Sequence, residues 1–263
     1  MNQKNFILGL PTLLLSIILL VPIVVMLVIS LENGMISSFF DKSFLLSLFL
    51  TISGATVASL ACIILGTPAA YSLARGYFKG RMNTLLEALL TSPMTIPHVV
   101  AGIALLITFS PISPIHGILN GFTIYQSFAG ITLAYFFVSV PIYVSSMKES
   151  IERFDVKLEL SAQSLGASFG RIFSRIVIPN LRTAIVESFL LAWARSMSEF
   201  GSILILAYVV FSPPLFNYVY PAPVYVWNQY ETSGLFSGLK YAGALLLISI
   251  VMLIILEGIK RRR

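Results

Sequence analysis

Apolar residues run in long blocks along most of this chain, and the polar and charged residues gather in the stretches between them. The blocks lack the strict alternation of a half-buried strand and the single apolar stripe of a soluble helix. A block of about 20 apolar residues matches the roughly 30 Å hydrocarbon layer of a bilayer. Blocks at 6–31, 44–74, 84–110, 128–147, 179–209 and 238–259 therefore predict six transmembrane helices. The expected fold class is all-α, a polytopic membrane protein. Block 6–31 is longer than a signal-peptide core and has no A-x-A cleavage site, so it reads as a retained first helix.

Composition agrees. Of the 263 residues, 57% are hydrophobic and 11% charged, against about 25% charged in soluble domains. Net charge is +6, yet the basic residues sit at the ends of the blocks, which marks orientation in a membrane rather than nucleic-acid binding. Lys4, then Arg75, Lys79 and Arg81, then the 148–182 connection, then Lys260 to Arg263 fall on one side. The other side holds little beyond Lys42 and Lys240. The bias places both termini in the cytoplasm, as an even number of spans also requires. The expected location is the cell membrane. The single cysteine, Cys62, excludes an internal disulfide and a cysteine-built metal site.

Within block 44–74, Gly54, Ala58, Cys62, Gly66, Ala70 and Ala74 recur every fourth position. A ridge of small side chains lets another backbone approach closely, either at a pore or subunit interface or, more simply, within the chain. Pro68 predicts a kink there. Two nearly uncharged connections, 110–127 and 211–231, are rich in Pro, Gly and aromatic residues; they suit a docked protein as well as the headgroup layer. His116 falls in the first and reads as solvated.

The 148–182 connection carries most of the internal charge. Glu159 and Ser161 near the start and Gly166 at the end predict one short helix with its stop signal. An amphipathic stretch from Ile172 to Ile178 follows, and Pro179 is placed to open the next span, where its missing N–H costs nothing. The connection thus reads as two short helices set at an angle against the membrane face. A rigid knob tied at both ends to spans would tilt them when displaced.

These residues resemble a known signature. Permeases of binding-protein-dependent ABC importers carry Glu-Ala-Ala, three residues, Gly, nine residues, then Ile-x-Leu-Pro. Gly166, nine residues, Ile176, Val177, Ile178 and Pro179 follow the second half, with Ile178 in place of Leu. Leu160 and Ser161 stand at the Glu and first Ala positions, Ala162 matches, and Glu159 is displaced by one. The stretches Ser92 to Leu106, Phe137 to Tyr143 and Trp193 to Gly201 look like molybdate/tungstate permeases, and the Pro97-His98 form is most similar to the archaeal ones. Sulfate permeases share a version of them. The resemblance covers about 45–255 and implies a single permease domain over 1–263 with a coupling loop at 148–179. It implies a homodimer, two cytoplasmic ATPase subunits that bind ATP and Mg, and an external oxyanion-binding protein. It also implies that Glu159, Leu160, Ser161, Ala162, Gly166, Ala167, Ile176 and Pro179 form the coupling element. The chain has no Gly-x-x-x-x-Gly-Lys-Ser/Thr loop of its own. An ion-gradient-driven transporter is the alternative class, but the hydropathy shows no convincing internal repeat.

Ionisable residues inside a membrane are costly and usually face a bundle interior or water. Glu187, Arg195 and Glu199 are spaced by eight and four, broadly on one helical face. Arg195 either offers positive potential to a passing dianion or pairs with Glu199 across one turn. Pro97, His98, Arg195, Ser198 and Glu199 are the residues assigned to the pathway or its gate. His98 as a proton relay would need an acidic partner, which the sequence alone does not supply; packing or gating is the simpler role. Residues 166–170 spell G-x-S-x-G, but a nucleophile elbow needs a strand before it and a histidine at hand.

Overall fold

The computed structural model describes residues 3–115, 117–118 and 124–261; His116 lies outside the described residues. Helices make up nearly all the regular structure. Four are long and apolar enough to cross a membrane: Gly9–Glu32 within α1 (Gln3–Glu32), the run Lys42–Ala74, α7 (Phe128–Arg153), and Leu235–Ile255 within α14 (Leu235–Arg261). The other two predicted spans are broken. Arg81–Met94, which opens with α5 (Arg81–Thr91), and His98–Thr108 meet at 110°, and Phe169–Asn180 and Arg182–Met197 at 72°, giving six spans if each bent pair counts once.

The chain divides into two compact units, 1–47 with 222–263, and 48–221. In the first unit α1 runs along α14, where a Cβ on Gly243 would lie 2.3 Å from Ser30 Cβ. A short α2 (Met35–Ser38) leads to Asp41, whose Oδ1 accepts the Ser43 N–H at 2.8 Å and so caps α3 (Lys42–Ala61). Asp41 Oδ2 accepts from Tyr241 at 2.5 Å and Tyr225 at 3.2 Å. Burial raises the Asp41 pKa, but the bonds from Tyr241, the Ser43 and Phe44 amides and Tyr225 outweigh it and hold the carboxyl below its usual value. Most of the 211–231 connection is folded: α13 (Ala222–Ser233) in this unit and, in the second, an antiparallel pair, β1 (Val210–Ser212) and β2 (Phe216–Val219).

The second unit is built around α7. Ile131, Tyr135, Tyr143, Val144, Met147 and Ile151 on this helix are almost fully buried. Ser127 starts it, accepting the Gly130 N–H at 3.0 Å. Against α7 lies the small-residue ridge: Gly54, Ala58, Cys62, Gly66 and Ala70 are all buried. A Cβ on Gly54 would stand 3.3 Å from Tyr135, and one on Gly66 2.7 Å from Tyr143. The ridge is thus consumed by packing within the chain. Hydroxyls bind the helices laterally, Thr67 with Tyr143 at 2.7 Å and Ser139 with Ser196 at 2.7 Å, as suits a medium where van der Waals packing and polar pairs hold helices together.

In place of a sharp kink at Pro68, Cys62–Gly66 form a wide π-helical turn between α3 and α4 (Thr67–Ala74). Proline cannot donate to the carbonyl four residues back, and the wide turn absorbs that missing bond.

Candidate functional site

The 148–182 connection is ordered along its length. Asp155 caps α8 (Val156–Ser164), accepting the Lys157 N–H at 2.9 Å. At the other end Gly166 has φ +80°, its N–H donates to Gln163 O at 2.9 Å, and the Ala167 N–H donates to Ala162 O at 3.0 Å. This is the paired-bond helix stop that favours glycine, so the Gly166 signal marks the helix end as expected.

The expected start of the following span needs correction. A continuous helical segment, α9 (Phe169–Ile172), a π-helical turn (Phe173–Val177) and α10 (Ile178–Asn180), comes first. A 72° bend then separates this segment from α11 (Arg182–Met197), and the two together make up the bent pair counted as one candidate span. Pro179 therefore lies within the segment before the bend. Its lost donor is absorbed by the wide turn ahead of it. Ile176 lies in that turn.

On α8 the acid turns inward, while leucines share the exposed surface with Lys157, Ser161, Gln163 and Ser164. Glu159 is only 8% exposed, whereas Leu160 is 54% and Leu165 89% exposed. Val156, Leu158 and Phe169 extend the same apolar surface. Ser161 and Gly166 are exposed, and Ala162 and Ala167 half-buried.

Inward, Glu159 meets the end of α4. Arg75, the C-cap of α4, donates through Nη2 at 2.5 Å and Nε at 3.0 Å to Glu159 Oε1. Arg75 Nη2 also donates to Phe154 O, at the end of α7, at 3.2 Å. The Tyr71 hydroxyl donates to Glu159 Oε2. Tyr71 packs edge-on against Phe173 at 5.1 Å, which brings the second segment onto α4. A cavity of about 270 Å³ opens beside the pair, lined by Tyr71, Arg75, Glu159, Leu160, Gln163 and Phe169.

The membrane residues form a second cluster where the two broken spans cross. Pro97, the N-cap of α6 (His98–Thr108), stands at a full break rather than inside a kinked span. Residues 198–200 likewise separate α11 from α12 (Gly201–Leu206), so the fifth predicted span does not run unbroken to 209. Glycines bring α6 and α12 together: a Cβ on Gly102 would lie 2.6 Å from Ser202 O, and one on Gly201 2.8 Å from His98 Cβ.

At this crossing Arg195 Nη2 donates to Glu199 Oε2 at 2.9 Å and lies 2.9 Å from His98 Nε2. His98 Nδ1 is 3.4 Å from Glu199 Oε2, so the acidic neighbour that sequence left unidentified is Glu199. Glu199 is 1% exposed, and its Oε1 accepts from both the Ser202 N–H and hydroxyl at 2.8 Å. Ser198 sits beside Arg195, its hydroxyl donating to the Arg195 carbonyl at 3.0 Å. Glu187, half-buried and two turns away, stays outside the cluster.

Sequence reasoning missed Arg75 and Tyr71, which lie more than eighty residues from Glu159; the signal open to it was a basic residue at the end of a span. Ser168 of the G-x-S-x-G run is the N-cap of α9, with no strand leading into it. It therefore lacks the strand-to-helix turn of a hydrolase nucleophile.

Residues 63–263 match the family described as binding-protein-dependent transport system inner membrane component. The molybdate/tungstate transport system permease protein WtpB of Pyrococcus furiosus is 36% identical over 208 residues, 79% of this chain and 75% of that protein. Its namesake from Methanocaldococcus jannaschii is 30% identical over 254 residues, 95% of this chain and 94% of the relative. The molybdenum transport system permease protein ModB of Mycobacterium tuberculosis is 36% identical over 163 residues, 61% of each chain. Among solved structures, a bacterial ABC transporter involved in the import of the acidic polysaccharide alginate superposes with a TM-score of 0.62 at 18% identity, covering 100% of this chain and 98% of that one. That likeness carries the fold. The chain belongs to the inner membrane components of binding-protein-dependent transport systems, the family of membrane permease subunits.

Proposed function

We propose that this permease imports molybdate and tungstate, working by alternating access as a homodimer with two cytoplasmic ATPase subunits and an external oxyanion-binding protein. ATP and Mg are held by the ATPase subunits, and both termini of the permease face them. The cargo follows the names of the relatives from Pyrococcus and Methanocaldococcus.

The observation that carries the coupling role is the exposure of leucines on α8 and at its end. Leu160 and Leu165 are exposed on a short capped helix, and a patch of this kind marks a protein-binding surface. On this reading ATP binding draws two such helices together and opens the pathway outward, and hydrolysis resets it. Leu160, Ser161 and Gly166 face the ATPase. Ala162 and Ala167 seat the helix, while Ile176 and Pro179 shape the segment that joins it to α11.

The crossing of the broken spans supports the pathway assignment, because discontinuous membrane helices are favoured where ions and substrates are handled. Arg195 there is largely neutralised by Glu199 at 2.9 Å. A dianion would meet enough positive potential to pass but too little to be held, as conduction requires. Pro97 and Ser198 set the two breaks, and His98 lies against the Arg195–Glu199 pair.

The test is reconstitution of the permease with its ATPase and binding protein in liposomes, with molybdate, tungstate and sulfate followed by elemental mass spectrometry. ATP-dependent accumulation of molybdate or tungstate above sulfate is expected. Uptake without nucleotide, or driven by an imposed ion gradient, would overturn the proposal in favour of a secondary transporter.

A further inference from the structure

We propose that Arg75 and Glu159, with Tyr71, form the rigid joint through which movement of α8 reaches the spanning helices. This inference rests on the importer reading above. It makes the three side chains positioning residues whose partners all lie within this chain.

The α8 helix follows α7 after only Phe154 and Asp155, so backbone joins it to α7 directly. No such link joins it to α4, which ends more than eighty residues earlier. A lever attached to α7 alone would swivel about that short link. The guanidinium of Arg75 removes this freedom by tying three helix ends at one point. Arg75 itself ends α4, its Nη2 reaches the carbonyl of Phe154 that ends α7, and Nη2 and Nε reach Glu159 on α8. The Tyr71 hydroxyl occupies the second carboxylate oxygen, so both oxygens of Glu159 are engaged.

Charge-assisted bonds from a guanidinium to a carboxylate are strong and directional, and both Arg75 donors converge on Oε1 of Glu159. The side chains of Arg75 and Glu159 are 15% and 10% exposed, and parting them would leave two largely buried charges without partners. Rotation of α8 is thus transmitted to α4 rather than absorbed by slippage. The placement also explains why the acid faces inward on a helix whose leucines face out. The aromatic contact of Tyr71 with Phe173 lies alongside, but a ring contact is weaker than the charge-assisted bonds of Arg75.

The experiment uses the complete complex in liposomes and reads oxyanion imported per ATP hydrolysed. Arg75→Ala and Glu159→Gln should still co-purify with the ATPase subunits and allow hydrolysis, with the import-to-hydrolysis ratio down tenfold or more. The exchange Arg75→Glu with Glu159→Arg should recover at least half of that ratio, and Arg75→Lys should fall between. A joint needed only for folding would lower abundance, hydrolysis and import together and leave the ratio intact. An unchanged ratio in both single variants therefore overturns the inference. So does failure of both to assemble, with no recovery in the exchanged pair. A wild-type complex that imports nothing on ATP sinks the importer reading instead.

Discussion

Gly166 offers a graded perturbation of the proposed lever. Its φ of +80° is one that an L-residue adopts at a cost of about 1–2 kcal/mol. A Cβ there would meet no atom within 4 Å, so the cost is conformational and not steric. Opposing it are two bonds that the left-handed turn makes possible, from the Gly166 and Ala167 amides, each contributing about 1 kcal/mol. The sums are close. Asn tolerates this region and should keep the turn nearly intact. Ala should keep it while losing about 1 kcal/mol, some fivefold in local opening at 1.4 kcal/mol per factor of ten. Val, β-branched and an outlier at positive φ, should forfeit the turn and unwind the last residues of α8. The assay is amide exchange of the 160–170 segment in the reconstituted complex, alongside uptake. Exchange should rise in the order Gly, Asn, Ala, Val, and uptake should fall in the same order at equal membrane abundance. A bulky charged Gly166→Glu should likewise impair uptake and spare insertion. If Asn and Val behave alike, or if exchange rises through α7 as well, the cap is not what sets the lever.

Glu199→Ala strips the partner from Arg195 and leaves the buried Ser202 amide without its acceptor; breaking a buried pair costs about 3–5 kcal/mol. Because Arg195 keeps a fifth of its side chain exposed, the lower end is expected. The double variant with Arg195→Ala should unfold in detergent at a higher temperature than Glu199→Ala alone. Gly102→Ala places a Cβ 2.6 Å from Ser202 O and 2.9 Å from Ser202 Cα, both backbone. Overpacking of that kind costs about 1–3 kcal/mol, and thermal melting should register it, with Ala→Gly reversion restoring the melting temperature. Asp41 has its pKa lowered from 3.8, against burial and by the bonds from Tyr241, the two amides and Tyr225. Its contribution is therefore complete above that value and lost as pH falls through the lowered one. Asp41→Asn should flatten the acid limb of the stability profile and leave the limb above neutrality unchanged.

Much of this was legible in the chain. Block length found the four helices long and apolar enough to cross a membrane and both bent pairs, because a bilayer demands a minimum run of apolar residues whatever the tertiary contacts. Gly166 was legible as a stop because its turn chemistry is local. The breaks at 95–97 and 198–200 were not, since hydropathy averages across a bend and reports only that both sides are apolar. Gly102 and Gly201, whose missing side chains let α6 and α12 touch, are indistinguishable in sequence from any glycine in a span. Pro68 and Pro179 by themselves predict a kink and a helix start. Both instead lie close after π-helical turns, a geometry that no residue preference announces. The inward turn of Glu159 was hidden because its partner Arg75 belongs to a different span, and local periodicity carries no information about that pairing.

The wide turn at Cys62–Gly66 acts as a phase adjuster. Residues four apart advance about 40° round an ideal α-helix, so four steps from Gly54 to Ala70 would swing about 160°. The extra residue in the turn takes back about 100° of that, which is how Gly54, before the turn, and Gly66, at its end, can both lie against α7. The same setting clocks Tyr71 and Arg75 downstream. Deleting one residue from 62–66 would rotate both by about 100° and aim them away from Glu159 without altering a single side chain.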